Sequence, residues 1–142
     1  MNLSRPARLM AGITLLTVPT IVYGGLTVLS VVTAGAHGLS PSGGVELTPL
    51  QTTLFRAGHA HAGALVILSL VLQILLDFAE LPTGARWLAR GAAPAAAVLV
   101  SGGFFGIAFT PRLAVLLWAG ALSLGASVLL TGIGLLRPPL DE

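Results

Sequence analysis

The stretch from Thr48 to Asp77, TPLQTTLFRAGHAHAGALVILSLVLQILLD, reads as a membrane-spanning helix, yet it carries Arg56, His59, His61, Gln73 and Asp77. Ionisable groups at membrane depth are costly, so each needs a partner, water or a function. The start is marked by Thr48, an N-cap residue, and Pro49, which suits a first helical position where a missing N–H costs nothing. The expected helix, about 49–78, ends before the turn Leu81-Pro82-Thr83-Gly84. Thirty residues rise roughly 45 Å, more than a hydrocarbon core of about 30 Å. The first turns therefore stand in the headgroup layer, with the histidines below them in one leaflet.

At about 100° per residue, Thr52, Arg56, His59, Gly63, Val66, Leu70, Gln73 and Asp77 form one stripe along this helix. His61 is two residues from His59, roughly 200° away, so a regular helix cannot bring both imidazoles to one metal ion. They serve different neighbours.

Composition agrees with a membrane solvent. The chain has 142 residues, 55% hydrophobic and only 8% charged, with a mean hydropathy of +0.95. A soluble domain needs more surface charge than this. The absence of cysteine excludes disulfides, thiolate metal sites and thiol catalysis. Seven arginines, no lysine and no basic cluster exclude the usual nucleic-acid footprint. The partner to expect is the lipid bilayer.

Taken in order, the first apolar run covers about 9–33. Ala34-Gly35-Ala36 resembles a signal-peptide cleavage site, but a signal core is about 7–15 residues, shorter than this run. Pro19 should kink the helix. Thr14, Thr17, Thr20 and Thr27 can bond back to their own helix carbonyls, whereas Tyr23 could instead meet the polar stripe. The loop 34–47 holds His37 and Glu46 and reads as a surface connection, with His37 solvated. A polar connection, 79–90, carries Arg86, Arg90 and the interfacial anchor Trp87. The third run is about 91–110, with Pro94 in its first turn. The fourth, about 113–136, follows a tight turn at Thr110-Pro111-Arg112. Small residues predict close helix contacts at Gly102, Gly106, Gly120 and Ser123, the last two on one side with Ser127, Thr131 and Gly134.

The expectation is a single all-α domain, an integral membrane four-helix bundle running up-down-up-down. Arg5, Arg8, Arg86, Arg90 and Arg137 fall on one side, and Arg56 and Arg112 on the other. The positive-inside rule then puts both termini in the cytoplasm of a multi-pass protein of the cell membrane.

Chemistry concentrates in Arg56-Ala57-Gly58-His59-Ala60-His61-Ala62-Gly63. Imidazole ligates haem iron, copper or zinc and carries protons near neutral pH. An Arg one turn before a His can pair with a haem propionate or a lipid phosphate. Arg-x-x-His near the outer end of a membrane helix resembles the second helix of subunit I in haem-copper oxidases and nitric oxide reductases. That resemblance implies His59 as ligand to a low-spin haem; His-x-His resembles a later helix of the same family, where two histidines serve two haems. About ten residues carry it, and the chain is too short for that fold and lacks the copper-site histidines. Oxidase catalysis by the chain alone is therefore excluded. The overall pattern also resembles small uncharacterised four-helix membrane proteins of bacteria, a likeness that implies no activity.

Three functional readings follow. In the first, Arg56, His59 and His61 bind haem or a transition metal in a respiratory-type membrane subunit, with His59 the leading ligand and a homo-oligomer or larger complex completing the coordination. In the second, the stripe from Thr52 and Arg56 through Gln73 to Asp77 lines a proton, quinone or small-solute path. In the third, the histidines bond across helices, Arg56 snorkels to headgroups and Asp77 sits in the interface. No Ser/His/Asp set, carboxylate pair or phosphate-binding glycine loop supports hydrolysis.

Overall fold

The protein is described by a computed structural model covering residues 2–33 and 47–138. The regular structure among those residues is all helical, with no strand. The elements are α1 (Arg5–Leu16), α2 (Val18–Val32), α3 (Pro49–Leu75), α4 (Thr83–Ile107), a 3-10 turn (Pro111–Leu113) and α5 (Ala114–Leu136). α1 and α2 are one apolar span broken at Thr17, so four helices are long and apolar enough to cross a membrane, as expected of a multi-pass membrane protein.

Local chemistry sets these boundaries. Ser4 caps α1 by accepting from the Ala7 N–H. Thr48 and Gln51 form a reciprocal capping box at α3, each side chain engaging the other's backbone N–H. Pro19 has no N–H to give the Leu15 carbonyl, and the ladder breaks two residues earlier. At the break the Thr17 hydroxyl donates to the Thr14 carbonyl at 2.7 Å, and the Thr20 hydroxyl to the Thr17 carbonyl at 2.6 Å. Thr14 and Thr27 also bond back to their own helix. Tyr23 is exposed and meets none of the stripe through a hydrogen bond among the described residues.

Two boundaries differ from expectation. α3 stops at Leu75, before Asp77. α4 starts at Thr83 instead of Gly91 and absorbs residues 83–90 of the segment read as a polar connection. Pro94 therefore lies inside α4, not in its first turn. The cause is that Arg90 turns into the protein and satisfies buried carbonyls, as described below.

α3 and α4 form the centre, with Leu65, Val66, Ala97 and Val100 in one core cluster and Leu76, Ala79, Leu81 and Ala89 in another. Gly58 of α3 faces Phe104 and Phe105 of α4, while Gln73 meets Arg90. Gly103 of α4 meets Leu117 of α5, Gly120 meets Val100, Ser127 donates to the Ala89 carbonyl at 2.8 Å, and Gly134 packs on Ala79 and Leu81. The Glu80 N–H donates at 2.8 Å to the Gly134 carbonyl, which the end of α5 leaves without a helical donor. The outer faces of α1, α2 and α5 expose large apolar side chains such as Leu16, Leu122 and Trp118. Water does not suit such faces, and lipid does.

The closest backbone approach differs by one residue from the one expected. A Cβ on Gly103 would lie 2.7 Å from the Leu117 nitrogen, whereas one on Gly102 would meet nothing within 4 Å. A Cβ on Gly106 would lie 2.7 Å from Leu113 Cδ1, and one on Gly120 would lie 2.8 Å from the Val100 nitrogen. Ser123 is half-buried and bonds back to the Ala119 carbonyl. Gly103→Leu should therefore lower the melting temperature in detergent, at a cost of about 1–3 kcal/mol or more from overpacking. Gly102→Leu should leave it nearly unchanged; equal effects would contradict this register.

Candidate functional site

The stripe on α3 divides into two separate places. Val66, between them, is buried in the apolar core. Thr52 lies above, half-buried near the capped start of α3.

The lower place is a buried polar cluster. Gln73 is fully buried and Arg90 nearly so. Pro94 has no N–H, so the Arg90 carbonyl loses its helical donor. The Gln73 amide replaces it, donating to that carbonyl at 2.9 Å. The Arg90 guanidinium in return donates to the Gln73 carbonyl at 3.0 Å and to Gln73 Oε1 at 3.2 Å. The Gln73 carbonyl is itself a helix-end orphan, because the Asp77 N–H bonds to Ile74 instead. Arg90 then forms an ion pair with Asp77. Asp77 also accepts from the Ser4 N–H at 2.8 Å and the Ser4 hydroxyl at 2.6 Å, fastening the cap of α1 to the end of α3. Burial alone would raise the Asp77 pKa, but the Ser4 bonds and Arg90 together hold it below the usual value. Arg86 seals the same end by donating to the Ala79 carbonyl at 3.0 Å.

The upper place is the Arg56-to-His61 segment. Arg56 is exposed and borders, with His59, a groove of about 230 Å³ between α2 and α3. His59 presses its ring on Gly25 of α2, where a Cβ would lie 2.6 Å from Cε1 and 2.7 Å from Nε2. The Nε2 edge of His59 thus faces the α2 backbone at Gly25. His61 lies on another face. Its Nδ1 is 2.8 Å from the Ala57 carbonyl, and its ring centroid is 4.7 Å from that of Phe104. A carbonyl only accepts, so Nδ1 carries the proton, and Nε2 is the nitrogen of this exposed ring that remains to meet a ligand.

Arg56 and His59 therefore share a groove, and His61 does not join them. Among the described residues no three His, Cys, Asp or Glu side chains come close enough to hold a metal ion. His37 lies outside the described residues. Sequence reasoning missed Arg90 and Ser4 as partners of the stripe. The available signal was the four-residue spacing of Arg90 and Pro94, which frees a carbonyl inside an apolar helix. The chain matches no known family model, no curated protein and no solved structure.

Proposed function

We propose that this chain is a haem-binding subunit of the cytoplasmic membrane, without enzymatic activity of its own, in which His61 would hold the haem iron. One observation carries the reading: the Nδ1–H of His61 bonds to the Ala57 carbonyl and leaves Nε2 free on the outside of α3. Metal-binding histidines are oriented by this kind of bond from the other ring nitrogen. His61 lies roughly 18 Å along α3 from Pro49, near the middle of the helix, where a lipid-facing imidazole is costly. A bare metal ion would need several more protein ligands, whereas haem brings four nitrogens and needs only axial ones. Bound haem would supply one-electron redox chemistry; the chain contributes His61 as ligand and Phe104 as an apolar wall beside it. A second copy of this chain or another subunit would supply any further ligand.

The membrane arrangement that goes with this is four spans, up-down-up-down, in one domain with both termini cytoplasmic. Its support is the paired contacts, which run from Gly58 with Phe104 to Gln73 with Arg90, and the arginine asymmetry. A proton or solute path along the stripe has less support, since Val66 interrupts it and Gln73 and Asp77 are held by Arg90.

The test is the absorption spectrum of protein purified from a haem-sufficient host. A Soret band should be present, lost in His61→Ala and kept in His59→Ala. Folded but colourless wild-type protein would end the haem reading, and a band that survives His61→Ala would end the ligand assignment.

A further inference from the structure

A crevice of about 440 Å³ lies where α1 and α2 meet α3 and α4. The helices separate there for reasons written in the sequence. The first span breaks at Thr17, Pro94 interrupts the α4 ladder, and Ala62 and Ala95 supply little bulk. Thr14 and Thr17 line it too, but their hydroxyls already donate to their own helix. Ser101 does not. It is 6% exposed and lines the crevice, and its enclosed Oγ has no hydrogen-bond partner among the described residues, not even the usual carbonyl one turn back. Ser69, the other buried hydroxyl without a partner among the described residues, does not line this crevice.

We infer that this crevice binds a lipid-soluble quinone, with one ring carbonyl accepting from the Ser101 hydroxyl once that side chain rotates toward the ligand. The size falls in the range of small-molecule sites, about 300–1,000 Å³, which are mostly apolar with a few placed polar groups. Depth selects the class of ligand. Ala62 is at the middle of α3, and Ser101 is roughly 9 Å from the middle of α4. Phospholipid ester groups sit at the edge of the hydrocarbon core, about 15 Å from its centre, so only their acyl chains reach this far. Acyl chains carry no acceptor for a buried hydroxyl. A quinone places a carbonyl at that depth and enters sideways from the lipid. This inference does not depend on haem binding, and it is tested on haem-free protein.

The experiment titrates detergent-solubilised protein with decylubiquinone and, separately, with decylbenzene, following melting temperature and binding by calorimetry. Decylubiquinone should bind saturably at one per chain, and Ser101→Ala should weaken it about tenfold through the lost hydrogen bond. Ala62→Phe should fill the crevice and abolish binding while circular dichroism stays helical. If that variant misfolds, the Ser101→Ala titration decides alone. Absence of saturable binding, equal affinity for decylbenzene, or an unchanged Kd in Ser101→Ala would each overturn the inference; the last two would mark a crevice for acyl chains.

Discussion

Asp77→Ala should be among the most damaging single changes in this protein, costing about 3–5 kcal/mol, the usual effect of removing one partner from a buried ion pair. The side chain of Asp77 is 12% exposed and that of Arg90 is 2% exposed. Without the carboxylate, the guanidinium keeps only neutral acceptors on Gln73. The same change releases Ser4, so α1 loses its tie to the end of α3. Both effects are readable as a lower unfolding midpoint in SDS and faster proteolysis at the amino-terminal helix. Asp77→Asn separates charge from shape and should show an intermediate loss. The pH dependence has a definite sign. The Asp77 pKa is lower in the folded protein than its ordinary 3.8, so the unfolded chain binds its proton first as pH falls. The stabilisation is present above about pH 4 and is lost as pH drops through the folded value. The gap between wild type and Asp77→Asn should therefore close below pH 3.8. A gap that stays constant into acid would mean that the carboxylate charge contributes nothing.

This cluster also shows what was legible beforehand. α3 could be read closely because its signals are local: a capping box, a proline at the first position, and an apolar run with polar residues at helical spacing. The lower stripe could not be read because its meaning is relational. Gln73 and Asp77 look like an unexplained polar track until Arg90 faces them, and Arg90 looks like a loop charge until α4 is seen to start at Thr83. A positive-inside count treats every arginine as a solvated flank, whereas this one satisfies carbonyls that Pro94 and the end of α3 leave without donors. The glycines fail for another reason. Ser101-Gly102-Gly103-Phe104-Phe105-Gly106 offers small residues on adjoining faces, and periodicity alone does not select the face that meets α5. Helical spacing alone puts the histidines on different faces, but what each ring meets depends on Gly25 and the Ala57 carbonyl.

Gln73→Leu should cost about 2–4 kcal/mol, because two buried groups lose partners that water cannot replace. The Arg90 carbonyl loses its donor at 2.9 Å, and the Arg90 guanidinium loses Oε1 at 3.2 Å. Packing contributes little to the difference, since leucine is close to glutamine in size and Gln73 is fully enclosed. The loss has a specific remedy. Pro94→Ala restores an N–H four residues after Arg90, so the carbonyl regains a helical donor without any help from Gln73. With Gln73 present, Pro94→Ala adds a second donor to an already satisfied carbonyl and should change stability little. With Leu at 73 it should recover about 1 kcal/mol or more, which gives a non-additive double-mutant cycle. The guanidinium half of the loss should remain in the double variant, because no new acceptor replaces Oε1. Equal costs of Gln73→Leu in both backgrounds would show that proline and glutamine act independently, and the carbonyl exchange between α3 and α4 would then not be what holds this end of the protein together.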